Sequence, residues 1–138
     1  MSRKALYRTA AVLLVLFAAG HQLGFRQVDP SWNAGQVVTL MQSTRFTVQG
    51  FSRSYWEFFS GFGFFSTVFL LFSALLAWEL ARVPREVIGA VTRIRWAFAL
   101  CYLIIAVLMW TNFFAGPIVF SALIALCLLL AAWKSEVV

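Results

Sequence analysis

The sequence predicts an all-α fold, a four-transmembrane-helix bundle with a long outer loop between the first and second helices. Three observations carry that prediction. Hydrophobic residues make up 62% of the 138 residues, well above the ~45–50% of soluble domains, and mean hydropathy is +0.87. Charged residues account for only 12%, about half the usual share. They avoid four long stretches, so the apolar excess is segmental, as membrane spans require.

A helix that crosses a bilayer needs about 20 mainly apolar residues, because a rise of ~1.5 Å per residue must cover ~30 Å of hydrocarbon. Spans are expected at about 5–24, 57–80, 96–114 and 117–133, within a single membrane domain covering 1–138. The first has a basic start (Arg3, Lys4, Arg8) and an apolar core from Ala10 to Ala19, so it resembles a signal peptide. Its apolar run continues through Gly20 to Phe25 with His21 embedded, which favours an uncleaved first helix.

The outer loop, 25–56, is too long for a passive connector. Asp29-Pro30-Ser31 reads as a turn. Val37, Val38, Met41 and Val48 then fall near one helical face, away from Gln36, Thr39, Gln42 and Ser43. Phe46 and Val48 also alternate with Arg45, Thr47 and Gln49, so a short strand is an equal reading of that part.

Between the second and third spans, Val83, Val87 and Val91 recur every four residues beneath Arg and Glu. They read as a short inner amphipathic helix or an inward extension of the third span. The third and fourth spans join through a tight outer hairpin at Ala115, Gly116 and Pro117, where proline suits a first helical turn.

Orientation follows from basic residues. Arg3, Lys4, Arg8, Arg82, Arg85, Arg93, Arg95 and Lys134 fall on one side, and Arg26, Arg45 and Arg53 on the other. Eight against three places both termini on the cytoplasmic side of a membrane, read here as a bacterial inner (cytoplasmic) membrane. Trp78, Trp96 and Trp133 then lie near the inner interface, Trp56 and Trp110 near the outer one. The same placement explains the net charge of +6, so membrane lipids rather than nucleic acid are the expected partners.

Helices in lipid associate through close packing and a few polar contacts. Gly20 and Gly24 form a small-residue step on the first span, and Ser60, Gly63, Thr67, Ala74 and Ala77 form a ridge on the second. Both are expected to pack helix against helix.

For chemistry the sequence offers little outside one end of the bundle. Cys101 and Cys127 have no second ligand nearby and one histidine to share, so no metal and no cofactor are expected. Glu79 has Arg82 one turn away, an interfacial ion pair. No nucleophile elbow, phosphate loop or metal-spaced set occurs, and no catalytic residue is assigned.

His21, Glu57, Arg53 and Asn112, with Thr111, share the outer level and form a candidate polar site. In one reading they close the bundle, with Glu57 paired to Arg53 and His21 donating to a backbone carbonyl. In the other, His21 beside Glu57 holds or shuttles a proton, and Tyr55, Phe58, Phe62 and Trp110, with Phe51 and Phe59, wall an apolar ligand. His21 and Glu57 are expected to face each other within a direct or one-water hydrogen bond.

The string Arg53-Ser54-Tyr55-Trp56-Glu57-Phe58-Phe59-Ser60-Gly61-Phe62-Gly63, with Gly20-His21 upstream, resembles an uncharacterised family of small bacterial four-helix integral membrane proteins. The resemblance covers nearly the whole chain and implies the same fold without an activity. The layout is also loosely similar to DoxX-like proteins, some linked to quinone redox systems, and to emopamil-binding-type isomerases, which use acidic and His side chains in a membrane cavity. No residue correspondence carries either family's site onto this chain. Two functions follow as expectations: binding of a lipid, quinone or other apolar ligand near the outer end, or a non-catalytic accessory or structural subunit of a larger membrane complex.

Overall fold

A computed structural model describes residues 1–134; the C-terminus, expected inside, lies beyond them. In chain order the elements are α1 (Arg3–Gly24), a 3-10 turn (Pro30–Trp32), α2 (Gly35–Ser43), β1 (Arg45–Val48), β2 (Phe51–Ser54), α3 (Tyr55–Arg82), a 3-10 segment (Arg85–Val91), α4 (Thr92–Asn112) and α5 (Ala115–Trp133). Four helical runs are long and apolar enough to cross a membrane: α1, α3, Arg85–Asn112 and α5. This is the architecture of a multi-pass membrane protein.

The chain divides into two compact units, Ala18–Phe69 and the remainder, Met1–Phe17 with the described residues from Leu70 onward. In the larger unit each helix buries a stripe at three- and four-residue steps. The stripes are Leu6, Tyr7, Ala10 and Leu14 on α1, Ser73, Ala74, Ala77 and Leu80 on α3, Arg95, Phe98, Ala99 and Tyr102 on α4, and Ser121, Ile124, Ala125 and Leu128 on α5. Arg8 lies over the Trp78 ring at 5.6 Å, Tyr102 sits beside Ser73, and Arg95 donates to the Ala132 carbonyl at 3.4 Å. Phe17 stacks on Phe120 at 5.4 Å. These contacts run α1 to α3, α3 to α4, α4 to α5 and α5 back to α1, a closed ring of four helices. Alanine and serine at so many buried positions let backbones approach where no hydrophobic drive operates between helices. The opposite faces, with Phe72, Leu75, Leu103, Ile104 and Leu126, are exposed.

The helix limits differ from expectation by a few residues, and one difference has a clear cause. α3 starts at Tyr55 instead of Glu57 because Ser54 and Glu57 form a capping box. The Ser54 hydroxyl accepts from the Glu57 amide at 3.1 Å, and the Glu57 carboxylate accepts from the Ser54 amide at 2.6 Å.

The expected long loop over 25–56 is corrected. α1 is followed by a turn, a short helix and a small hairpin. Asp29 caps the turn by accepting from the Ser31 amide at 2.7 Å. The helical reading holds for α2, and the strand reading for β1. β1 pairs antiparallel with β2 in the register Arg45 to Ser54 and Val48 to Phe51. The two-residue turn between them puts Gln49 at φ 52° and Gly50 at φ 84°, the left-handed pair that a tight hairpin needs.

Two packing expectations are also revised. The Gly20 and Gly24 step has no atom near enough to touch an added Cβ, whereas a Cβ at Gly63 would overlap the Phe25 ring. In the 3-10 segment the buried residue is Ile88, while Val87 is exposed. Three residues per turn instead of 3.6 shift which side chain faces inward.

Candidate functional site

Within the smaller unit, the hairpin leads into α3 and sets the site. Ser54 ends β2 and caps α3 at once, so Arg53 stays on the strand while Glu57 sits in the first helical turn. The rings continue from hairpin to helix. Phe46 of β1 packs on Tyr55 at 5.0 Å and edge-on to Phe58 at 5.8 Å. Phe58 is in turn edge-on to Phe62 at 4.9 Å. Beside this ladder runs an open groove of about 410 Å³, lined by Arg53, Glu57, Phe58, Gly61, Phe62 and Phe65. Positions 57, 61 and 65, and 58 and 62, are four apart, so they share one helical face.

The two charged residues do not pair with each other, which corrects the Arg53–Glu57 expectation. Glu57 pairs with Arg45 at 3.6 Å, both side chains about half exposed (48% and 53%). An ion pair so exposed is largely screened by solvent; the capping bonds hold Glu57 more firmly. Arg45 also donates to the hydroxyl and carbonyl of Ser52, each at 3.2 Å. The cross-strand register that sets Arg45 against Ser54 brings its guanidinium to the helix start. Arg53 donates to the Ser52 carbonyl at 2.8 Å and lies over the Phe51 ring at 5.7 Å. Among the described residues it makes no ion pair.

His21 does not bond to Glu57, contrary to expectation. Its Nε2 donates to the Gly63 carbonyl at 3.0 Å, and since a carbonyl only accepts, the ring proton is on Nε2. The imidazole stacks on Phe25 at 5.0 Å, and Phe25 meets Phe64 edge-on at 5.5 Å. Arg26 lies over both rings at 5.2 and 5.1 Å. One turn further along α3, the Thr67 hydroxyl is within reach of the Gln22 amide oxygen (3.1 Å) and the Gly63 carbonyl (3.2 Å). His21 and Gln22 thus fasten the end of α1 to α3 through Gly63 and Thr67. The lack of a side chain at Gly63 exposes its carbonyl and admits the Phe25 ring.

Of the residues picked from sequence, Arg53, Glu57, Phe58 and Phe62 line one groove, and Tyr55 adjoins it through Phe46. Asn112 and Trp110 belong to the other unit. There the Asn112 amide donates to the Leu108 carbonyl at 3.0 Å and lies 2.7 Å from the Thr111 hydroxyl, while Trp110 is exposed. Sequence reasoning missed Gly61 and Phe65 in the groove wall, Arg45 as the partner of Glu57, and Phe25 at the Gly63 notch. The Ser-x-x-Glu spacing at 54–57 was a visible signal for the cap; nothing local announced Arg45 or Phe25, which arrive through pairing and packing.

No family model, curated protein or solved structure matches the chain.

Proposed function

We propose that the chain is a multi-pass protein of a bacterial inner membrane, with its termini cytoplasmic, that binds a lipid, quinone or other apolar molecule with a polar head in the groove at the start of α3. The observation that carries this reading is the groove's lining. A guanidinium and a carboxylate stand at one end, Phe58, Phe62 and Phe65 follow, and Gly61 leaves a gap in the wall. A volume of about 410 Å³ suits a small amphiphile, within the ~300–1,000 Å³ of ordinary ligand sites. The eight-to-three basic asymmetry supports the orientation, and the resemblance noted above supports the bacterial assignment.

Binding fits these residues better than proton transfer. Glu57 is committed to the cap and to Arg45, a guanidinium does not release its proton, and His21 bonds to Gly63 and not to Glu57. The groove therefore offers charge and shape, with no group placed to exchange a proton.

The test compares the parent with Gly61→Leu, purified in mild detergent and extracted for mass spectrometry. An added Cβ at Gly61 meets nothing within 4 Å, so leucine fills the groove without disturbing the helix. An apolar molecule retained by the parent and lost from the variant is the expected result. Identical extracts would overturn the reading, and a co-purifying membrane protein without a bound small molecule would favour the accessory-subunit alternative.

A further inference from the structure

In the four-helix unit, the 3-10 segment after α3 and the start of α4 bring two guanidiniums, Arg85 and Arg95, within electrostatic reach of a third, Arg3 at the start of α1. Arg95 is 1% exposed and donates to the carbonyls of Ile88 at 3.2 Å and Ala132 at 3.4 Å. Arg3 donates through one Nη to the Val83 carbonyl at 2.7 Å; its other Nη is buried without a hydrogen-bond partner. Tyr7, one turn along α1, is completely buried. Its hydroxyl feels the charges of Arg3 and Arg95 and also has no hydrogen-bond partner. Arg85, exposed at the rim, lies within electrostatic reach of Arg3.

Among the described residues neither Arg3 nor Arg85 makes an ion pair. Glu79 is taken by Arg82 at 3.1 Å, and Glu86 pairs with neither. The C-terminal end of α3 presents about half a negative charge toward Arg3. Among the described residues, and counting only Arg3 and Arg85, more than one positive charge is left without a compensating carboxylate beside two buried donors, an N–H and an O–H, that lack acceptors. A water molecule would satisfy the donors and leave the charge. An oxyanion satisfies both, and a guanidinium fork matches phosphate geometry in particular.

The location narrows the source. Arg3 and Arg85 stand at the ends of spanning segments, the depth at which lipid phosphates lie, and basic pockets between spanning helices bind anionic headgroups. We propose that Arg3, Arg85 and the Tyr7 hydroxyl, with Arg95 behind them, bind the phosphate of an anionic phospholipid headgroup. The site is in a different unit from the groove and does not depend on it.

The test uses the full chain in detergent with dimyristoyl phosphatidylglycerol as probe. Phosphatidylcholine of the same chains and inorganic phosphate run in parallel, read by native mass spectrometry and thermal unfolding. The anionic lipid is retained in preference to the zwitterionic one and raises the unfolding temperature, and inorganic phosphate does neither. Arg85→Gln breaks no described hydrogen bond, so folding is preserved; the preference falls about fivefold, the effect of one basic residue at a headgroup. Tyr7→Phe keeps the ring and removes the donor. It lowers phosphatidylglycerol retention about tenfold, as loss of a hydrogen bond to a charged group does, with phosphatidylcholine retention unchanged. An unaltered preference in either variant overturns the proposal. Stabilisation by inorganic phosphate equal to that by the lipid also overturns it, since the site would then serve a free anion.

Discussion

Replacing Gly63 by alanine tests the packing that holds the smaller unit together. An added Cβ would meet three atoms of the Phe25 ring, the farthest, Cζ, at 2.8 Å, so the ring or the helix must move. The ring is not free to swing: His21 stacks on one side at 5.0 Å, Phe64 abuts it at 5.5 Å, and Phe59 lies 6.3 Å away. Moving it forfeits aromatic contacts of about 0.5–1.5 kcal/mol each, and forcing a methyl into a filled site costs about 1–3 kcal/mol in general. Against this stands a helix-propensity gain of up to about 1 kcal/mol for glycine to alanine. Gly61→Ala isolates that gain, because its Cβ meets nothing. The expected outcome is Gly63→Ala destabilised by about 1–2 kcal/mol, with Gly61→Ala neutral or slightly stabilised, measured by denaturant titration in detergent with tryptophan fluorescence. Combining Gly63→Ala with Phe25→Leu should recover at least about 1 kcal/mol relative to the sum of the single changes, as contacting residues do. Additivity within about 0.5 kcal/mol would mean that methyl and ring do not compete for one space, and the reasoning would fail.

Three further outcomes follow from other elements. Ser54→Ala removes one bond of the capping box and should cost about 0.5–2 kcal/mol in the same titration, whereas Glu57→Gln, whose amide oxygen still accepts from Ser54, should cost much less; a larger loss from Glu57→Gln would show that the pair with Arg45 matters more than the cap. With Cys101 and Cys127 replaced, a cysteine at Ser43 should label with an impermeant thiol reagent from outside and one at Gly89 only after permeabilisation; the reverse pattern would reject the orientation. The bonds from Ser31 hold the Asp29 carboxyl below its ordinary range. A carboxylate whose folded pKa is depressed contributes order above its unfolded pKa and loses it as pH falls through the folded value, so Trp32 emission in the turn should change in that acid window and stay flat in Asp29→Ala.

At the candidate site, local pattern singles out residues but not their partners. Phe58 and Phe62 stand out as aromatic residues beside the polar cluster, Glu57 because an ionisable group is costly near a span, and Arg53 because it precedes Glu57 by four residues. The structure keeps those four together and reassigns their contacts. His21 was read correctly as a polar group needing a partner. One of the two readings gave it a backbone carbonyl, which is what it has, although the expected bond to Glu57 is absent. Which carbonyl, Gly63, depended on the placement of two residues 42 positions apart on neighbouring helices.

Composition and charge placement alone determined that the chain has four helices long and apolar enough to span a membrane, roughly where each lies, and the turn at Asp29 to Ser31; the connection between the last two helices falls at Phe113 and Phe114, because Ala115, Gly116 and Pro117, expected as the hairpin, already form the first turn of α5. Those properties follow from hydrophobic length, proline and glycine chemistry, and the exclusion of charge from apolar stretches, all of which act within about 20 residues. Only the tertiary structure decided that the strand at 45–48 pairs with 51–54 in a hairpin, because the pairing of Arg45 with Ser54 involves residues on both sides of a turn. It alone decided that Gly63, and not Gly20 or Gly24, is the point of close approach, and that Arg3 and Arg95 come within electrostatic reach of the buried Tyr7. Small residues recur along every span, and basic residues cluster beside the span ends. Which of them meet depends on the rotation of each helix about its axis, a quantity set by packing among all the helices and written in no single segment.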